Sequence, residues 1–170
     1  MALPKKKDKL TSADIRRLNE LADLSLPRAE ALVICPWVRR IEDDETLFPV
    51  LWQHGSERIV LRDLRTGLER VMSEDEGDPR LEITRARALV LGDWLWRMDQ
   101  TSTLEPLLGD DSAEEKVLWT LEASLDLLLI FEYHGAIMSA GRDGPESWPG
   151  YEALVSAARE QVMIDRLGTN

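Results

Sequence analysis

The chain has 170 residues and a formal net charge of -11, with 21 basic against 32 acidic side chains. That length suits one domain with a substantial core. The charge argues against a duplex-binding surface as the main function, because phosphate neutralisation dominates nucleic-acid affinity.

Residues 1–10 form a basic N-terminal arm carrying Lys5, Lys6, Lys7 and Lys9, a solvated tail or the one place for contact with phosphate. Residues 11–170 are expected to be a single helical domain. Thr11 with Asp14 is a capping-box pattern, and Leu10 and Ile15 are placed for a hydrophobic staple. The first helix should present Ile15, Leu18, Leu21 and Ala22 inward, with Arg16 and Glu20 paired outside. Leu26 precedes Pro27, so the chain turns there. Pro27 opens a second helix through Ile34, which Cys35-Pro36 ends or kinks.

Residues 37–54 are expected to be irregular, with a charged cluster at 42–45 and with Trp37, Phe48 and Trp52 pinned to the core. Residues 57–72 (ERIVLRDLRTGLERVM) fit two structures. Leu61, Leu64, Leu68 and Val71 suit a helix. Arg-Thr-Gly between two apolar runs suits a hairpin turn, which is the expectation taken. VLRDLRTGLERV resembles hairpins of β-propeller blades, but one hairpin without a repeat does not support that fold. Asp78-Pro79 should open the third long helix, as cap and first residue, running to about Asp99 with Asp93 and Arg97 paired one turn apart.

The chain is expected to be organised around a long helix over 112–140. Ser112 and Glu115 form its capping box, and Leu118, Leu121, Leu125 and Leu128 its apolar stripe. Continuing that stripe puts Glu132 where an apolar residue belongs. A buried carboxylate must be paired, hydrogen-bonded or protonated, and Arg85, Arg87 or Arg97 is the expected partner. His134 falls on a second stripe with Leu127, Phe131 and Met138. After a loop at 141–149, a last helix turns Tyr151, Leu154, Val155, Ala158 and Val162 inward and stops at Gly168.

The expected fold is mainly α: a helical bundle of about four main helices with one inserted β-hairpin. No phosphate loop, zinc spacing or nucleophile elbow is present, so no cofactor and no metal is expected. Asp126, Glu132 and His134 interrupt the long helix, which argues against a membrane span. The single cysteine excludes an internal disulfide; with no apolar leader in the sequence, a cytoplasmic protein is expected.

Six tryptophans against two phenylalanines and two tyrosines are more than core filling requires, since tryptophan also anchors interfaces. The expectation is a non-enzymatic protein-protein interaction or assembly protein, acidic and self-associating or bound to a protein partner. Its interface candidates are Trp37, Trp52 and Trp148. The alternatives are a small enzyme or ligand-binding bundle with Glu132 as its catalytic or binding carboxylate, and an accessory protein of a nucleic-acid machine acting through the arm.

Overall fold

The computed structural model describes residues 11–47, 51–108, 113–140 and 151–168; the side chains of 47, 126, 127, 129–140 and 166–168 lie outside that description. The arm and its Leu10 staple, Phe48, Ser112, the 141–149 loop and Trp148 fall outside the described residues.

The described fold is mainly helical, with six helices and one two-stranded antiparallel sheet. Helix α1 (Ser12–Leu18) starts at the expected capping box: the Thr11 hydroxyl accepts the Asp14 amide at 3.2 Å, and Asp14 takes the Thr11 amide at 2.8 Å. It ends sooner than its periodicity suggests. Leu21–Ser25 is strand β1, and Leu21 is exposed rather than part of a helix face. Its partner is strand β2 (Arg80–Thr84), in register from Leu21 opposite Thr84 to Ser25 opposite Arg80. The expected third helix therefore begins later: Asp78-Pro79 leads into a strand. RLEIT alternates, with Leu81 and Ile83 buried and Arg80 and Glu82 exposed, the period of a half-buried strand. Helix α4 (Arg85–Gln100) is capped instead by the Thr84 hydroxyl, which accepts the Arg87 amide at 3.3 Å.

Between the two strands lie helices α2 (Arg28–Glu42) and α3 (Gly55–Glu74). Helix α2 continues through Cys35-Pro36 to Glu42, so the helix does not end there, the first of the two outcomes expected. Pro36 removes one hydrogen bond to Leu32, and both residues are on the exposed face, where water can take the freed carbonyl. Arg28 ties the two helices together. It donates to the carbonyls of Met72 at 3.0 Å, Asp75 at 2.7 Å and Gly77 at 3.2 Å, placing a cation on the orphan carbonyls that end α3.

The hairpin expected at 57–72 is a correction. The segment is the middle of α3, one continuous helix. Leu61, Leu64 and Leu68 are buried along one face, and Arg65, the first residue of the supposed turn, pairs with Glu69 one turn on. Gly67 survives mid-helix for a packing reason. An added β-carbon there would sit 2.7 Å from Leu81 Cδ1, so its bare backbone lets β2 lie against α3.

Helix α5 (Ala113–Ala140) has the expected inner stripe, with Leu118, Leu121 and Leu125 buried. Helix α6 (Tyr151–Gly168) buries Tyr151, Val155, Ala158 and Val162 as expected. Helix α4, however, is central to the packing: it touches α1, α3, α5, α6 and β2. Its Trp94 is fully buried, stacks on Trp52 with ring centroids 5.4 Å apart, and donates its indole N–H to the Leu51 carbonyl at 3.0 Å. Leu89, Val90, Leu91, Leu95 and Met98 are buried with it. Among the described residues, no helix is long and apolar enough to cross a membrane.

Candidate functional site

Two of the three tryptophans expected at an interface belong to the interior. Trp37 and Trp52 are each 1% exposed, so neither offers surface to a partner. Trp37 lies on the inner face of α2 and donates its indole N–H to the Leu107 carbonyl at 3.0 Å. Trp52 is half of the stack on Trp94. The signal that misleads is their place outside the two long helices expected from the sequence; tertiary packing buries them there.

Glu132 lies on the backbone of α5, and its side chain is outside the described residues. Its pairing with an arginine therefore lies outside the described residues, and what is described of the three candidate arginines is their other surroundings. Arg85 sits 3.3 Å from Glu20 and reaches the Leu128 carbonyl at 3.4 Å. Arg87 pairs with Asp63 at 3.2 Å. Arg97 joins a buried network.

That network is built on Asp93, a buried carboxylate of α4. It accepts the Tyr151 hydroxyl at 2.8 Å, Arg97 Nε at 3.0 Å and Arg159 at 2.9 Å. Arg97 also pairs with the buried Glu57 and donates to Gln53 at 2.7 Å. Glu57 Oε2 accepts the backbone amides of Gln53 at 3.1 Å and His54 at 3.3 Å, capping α3. Two carboxylates thus meet two guanidiniums, joining α3, α4 and α6 without net charge.

A second chain of charges crosses from α2 to α3. Glu42 is buried and takes both ends of the Arg65 guanidinium, at 2.8 and 2.6 Å. Arg65 also meets Glu69 at 2.9 Å, and Glu69 meets Arg39 at 2.8 Å. The hydrogen bonds that Arg65 donates to Glu42, with the charges of Glu42 and Glu69, raise the Arg65 pKa above its already high ordinary value. In both networks each buried carboxylate is matched by arginine, the arrangement of structural ion pairs.

Cys35 is buried on the inner face of α2, where burial first and the charge of Glu69 second push its thiol up to about 11 from an ordinary 9.0. The thiol is the inert form at neutral pH. Iodoacetamide at pH 8 should therefore label native protein at least about a hundredfold more slowly than urea-unfolded protein, the factor that two pKa units remove from the thiolate. Labelling at equal rates would show an open thiol. The neutral thiol also favours the fold. Its contribution is complete below pH 9 and is lost as the pH rises from 9 towards 11, because the unfolded chain ionises first.

The surface feature with binding character is elsewhere. Trp119, on the outer side of α5, is 60% exposed. It overhangs a depression of about 80 Å³ where the end of α4, the 3-10 turn Glu105–Leu107 and α5 meet. Leu95, Met98, Leu104 and Leu118 form its floor. Asp99, Glu105, Glu115 and Glu122 line its edge, and among the described residues no lysine or arginine does. Neighbouring Leu118 faces the core, and Trp119 stands about 100° round the helix from it. That angle was available in the sequence.

No family model matches the chain, and no curated protein or solved structure matches it. Among the described residues, no three His, Cys, Asp or Glu side chains converge as a metal site.

Proposed function

We propose that this is a non-enzymatic interaction protein of the cytoplasm that docks a basic segment of a protein partner on the Trp119 face. The carrying observation is an exposed tryptophan over an apolar floor whose charged edge, among the described residues, is made of carboxylates. The buried carboxylates described above are engaged with arginines, which supports a structural role for them and favours binding over catalysis. A free, buried cysteine agrees with a reducing compartment.

The depression has room for about one side chain. An indole face attracts a guanidinium or ammonium by cation–π interaction, and Asp99, Glu105 and Glu115 add charge complementarity. The partner therefore presents arginine or lysine spaced among apolar residues, as on one face of an amphipathic helix. An apolar-basic peptide with arginines at i and i+4 should bind and change the Trp119 emission. Trp119→Ala should weaken that binding at least about tenfold, as an anchor residue does, without lowering the melting temperature. A neutral peptide of the same shape should not bind. Equal affinity for wild type and Trp119→Ala would overturn the assignment. Sedimentation at several concentrations distinguishes a second copy of this chain from a foreign partner as the source of the segment.

A further inference from the structure

A larger cleft lies on a different face, between α3, β2 and the start of α4, with a volume of about 510 Å³. That is within the span of roughly 300–1,000 Å³ typical of small-molecule sites. Its floor is apolar and buried: Ile59, Leu64, Leu81, Ile83 and Leu91. Its charged edge carries three guanidiniums, Arg62, Arg70 and Arg87, against two carboxylates, Asp63 and Glu82. An excess of positive charge here is notable on a chain whose net charge is -11.

The guanidiniums are not all used by the fold. Arg62 has Asp43 at 3.5 Å. Arg87 meets Asp63 at 3.2 Å through one terminal nitrogen, while its Nε is buried with no hydrogen-bond partner. The Arg70 side chain makes no hydrogen bond or ion pair among the described residues, and it also lines a second hollow beside Asp23 and Arg80. Arg87 is in the first turn of α4, where the helix dipole adds to its attraction for an anion. The Arg-Thr-Gly step of α3 shapes the same cleft. Thr66 and Gly67 line it, and the missing side chain at Gly67 is what brings Leu81 into the floor.

We propose that this cleft binds a small amphipathic carboxylate: the apolar body lies on the leucine and isoleucine floor, and the carboxylate meets Arg70 and Arg87. A planar carboxylate matches a guanidinium in two parallel hydrogen bonds, and such charge-assisted bonds are the strong ones. A neutral ligand would leave Arg70 and the buried Arg87 Nε unmatched. A cation would be repelled by the excess guanidinium.

Decanoate below its micelle concentration is the probe, titrated calorimetrically into the full chain. One site should be seen. Decanol and decyltrimethylammonium should each bind at least about tenfold more weakly, the loss expected when a charge-assisted pair is removed. The double variant Arg70→Gln, Arg87→Gln should lose a similar factor and remain folded, because Arg70 is exposed and Arg87 gives up only a pair with the half-exposed Asp63. Thr66→Trp, an exposed position at the mouth, should block the site sterically while leaving the charges in place. The proposal is overturned by any of three results: no heat with decanoate up to millimolar concentration, equal binding of the alcohol or the ammonium compound, or unchanged binding by folded forms of both variants. The Trp119 face is remote in function from this test, so retention of peptide binding in these variants separates the two assignments.

Discussion

Asp93→Ala lowers the unfolding free energy by about 3–5 kcal/mol, the cost of removing one partner from a buried ion pair. The side chain is 8% exposed and receives three donors from two helices, so truncation removes the carboxylate that Arg97, Arg159 and the Tyr151 hydroxyl share. Arg97 retains Glu57 and Gln53, which places the loss short of what two isolated buried cations would cost. For a chain of 170 residues this corresponds to a fall in melting temperature of about 10 °C. Asp93→Asn keeps an oxygen for Tyr151 and loses only the charge, so it should cost roughly half as much. Urea titration followed by tryptophan emission measures both, since the Trp52–Trp94 stack reports on α4. A loss under about 1 kcal/mol for Asp93→Ala would mean that water replaces the carboxylate, and that the network is not what docks α6 on α4.

Glu42→Ala should cost about 3 kcal/mol for a related reason. Glu42 is the last residue of α2, at the negative end of the helix dipole, where a carboxylate is unfavourable on its own. It is kept there by Arg65, which grips both oxygens, while Arg58 donates to its backbone carbonyl. Removing the carboxylate leaves a guanidinium that is only 13% exposed with Glu69 alone. The reverse experiment is more telling. Glu42→Leu with Arg65→Met replaces the pair by apolar groups of similar volume, and should be close to neutral or stabilising. If the double variant is as unstable as Glu42→Ala, the loss comes from something other than a stranded charge.

Both carboxylates are invisible to a reading that looks for interruptions in an apolar stripe. Glu132 interrupts such a stripe and was the natural candidate. Glu42, by contrast, stands in a run of four acidic residues that reads as a solvated loop, and Asp93 reads as half of a surface pair with Arg97. That pair does exist, at 3.0 Å, but the arrival of Tyr151 and Arg159 from α6 turns it into a buried hub. Burial of a charged side chain depends on which element covers it, and the covering residues lie 58 and 66 positions away in the chain.

The two strands show the same limit. Leu81 and Ile83 alternate with charged neighbours, and that signal was present, but Asp78-Pro79 is equally good chemistry for opening a helix. Strand β1 has no comparable signal: LADLS contains no β-branched residue, and it is extended because β2 offers it a ladder of hydrogen bonds. At Arg65-Thr66-Gly67 the opposite happened. Local turn chemistry lost to a helix whose buried leucine face and Glu42–Arg65 pairing are worth more than a turn preference of this size.

By itself the sequence determined the features that are local and periodic: a mainly helical chain, the Thr11 capping box, the inner stripes of α5 and α6, and the Asp93–Arg97 pair. These follow from interactions within one or two helical turns, which residue spacing encodes directly. The tertiary structure alone decided that residues 57–72 are helical, that two strands pair across α2 and α3, that Trp37 and Trp52 are interior, and that a cleft edged by arginines opens beside Gly67. Each of those depends on contacts between segments far apart in the chain, whose free energy exceeds the local preferences of about 1 kcal/mol or less per residue.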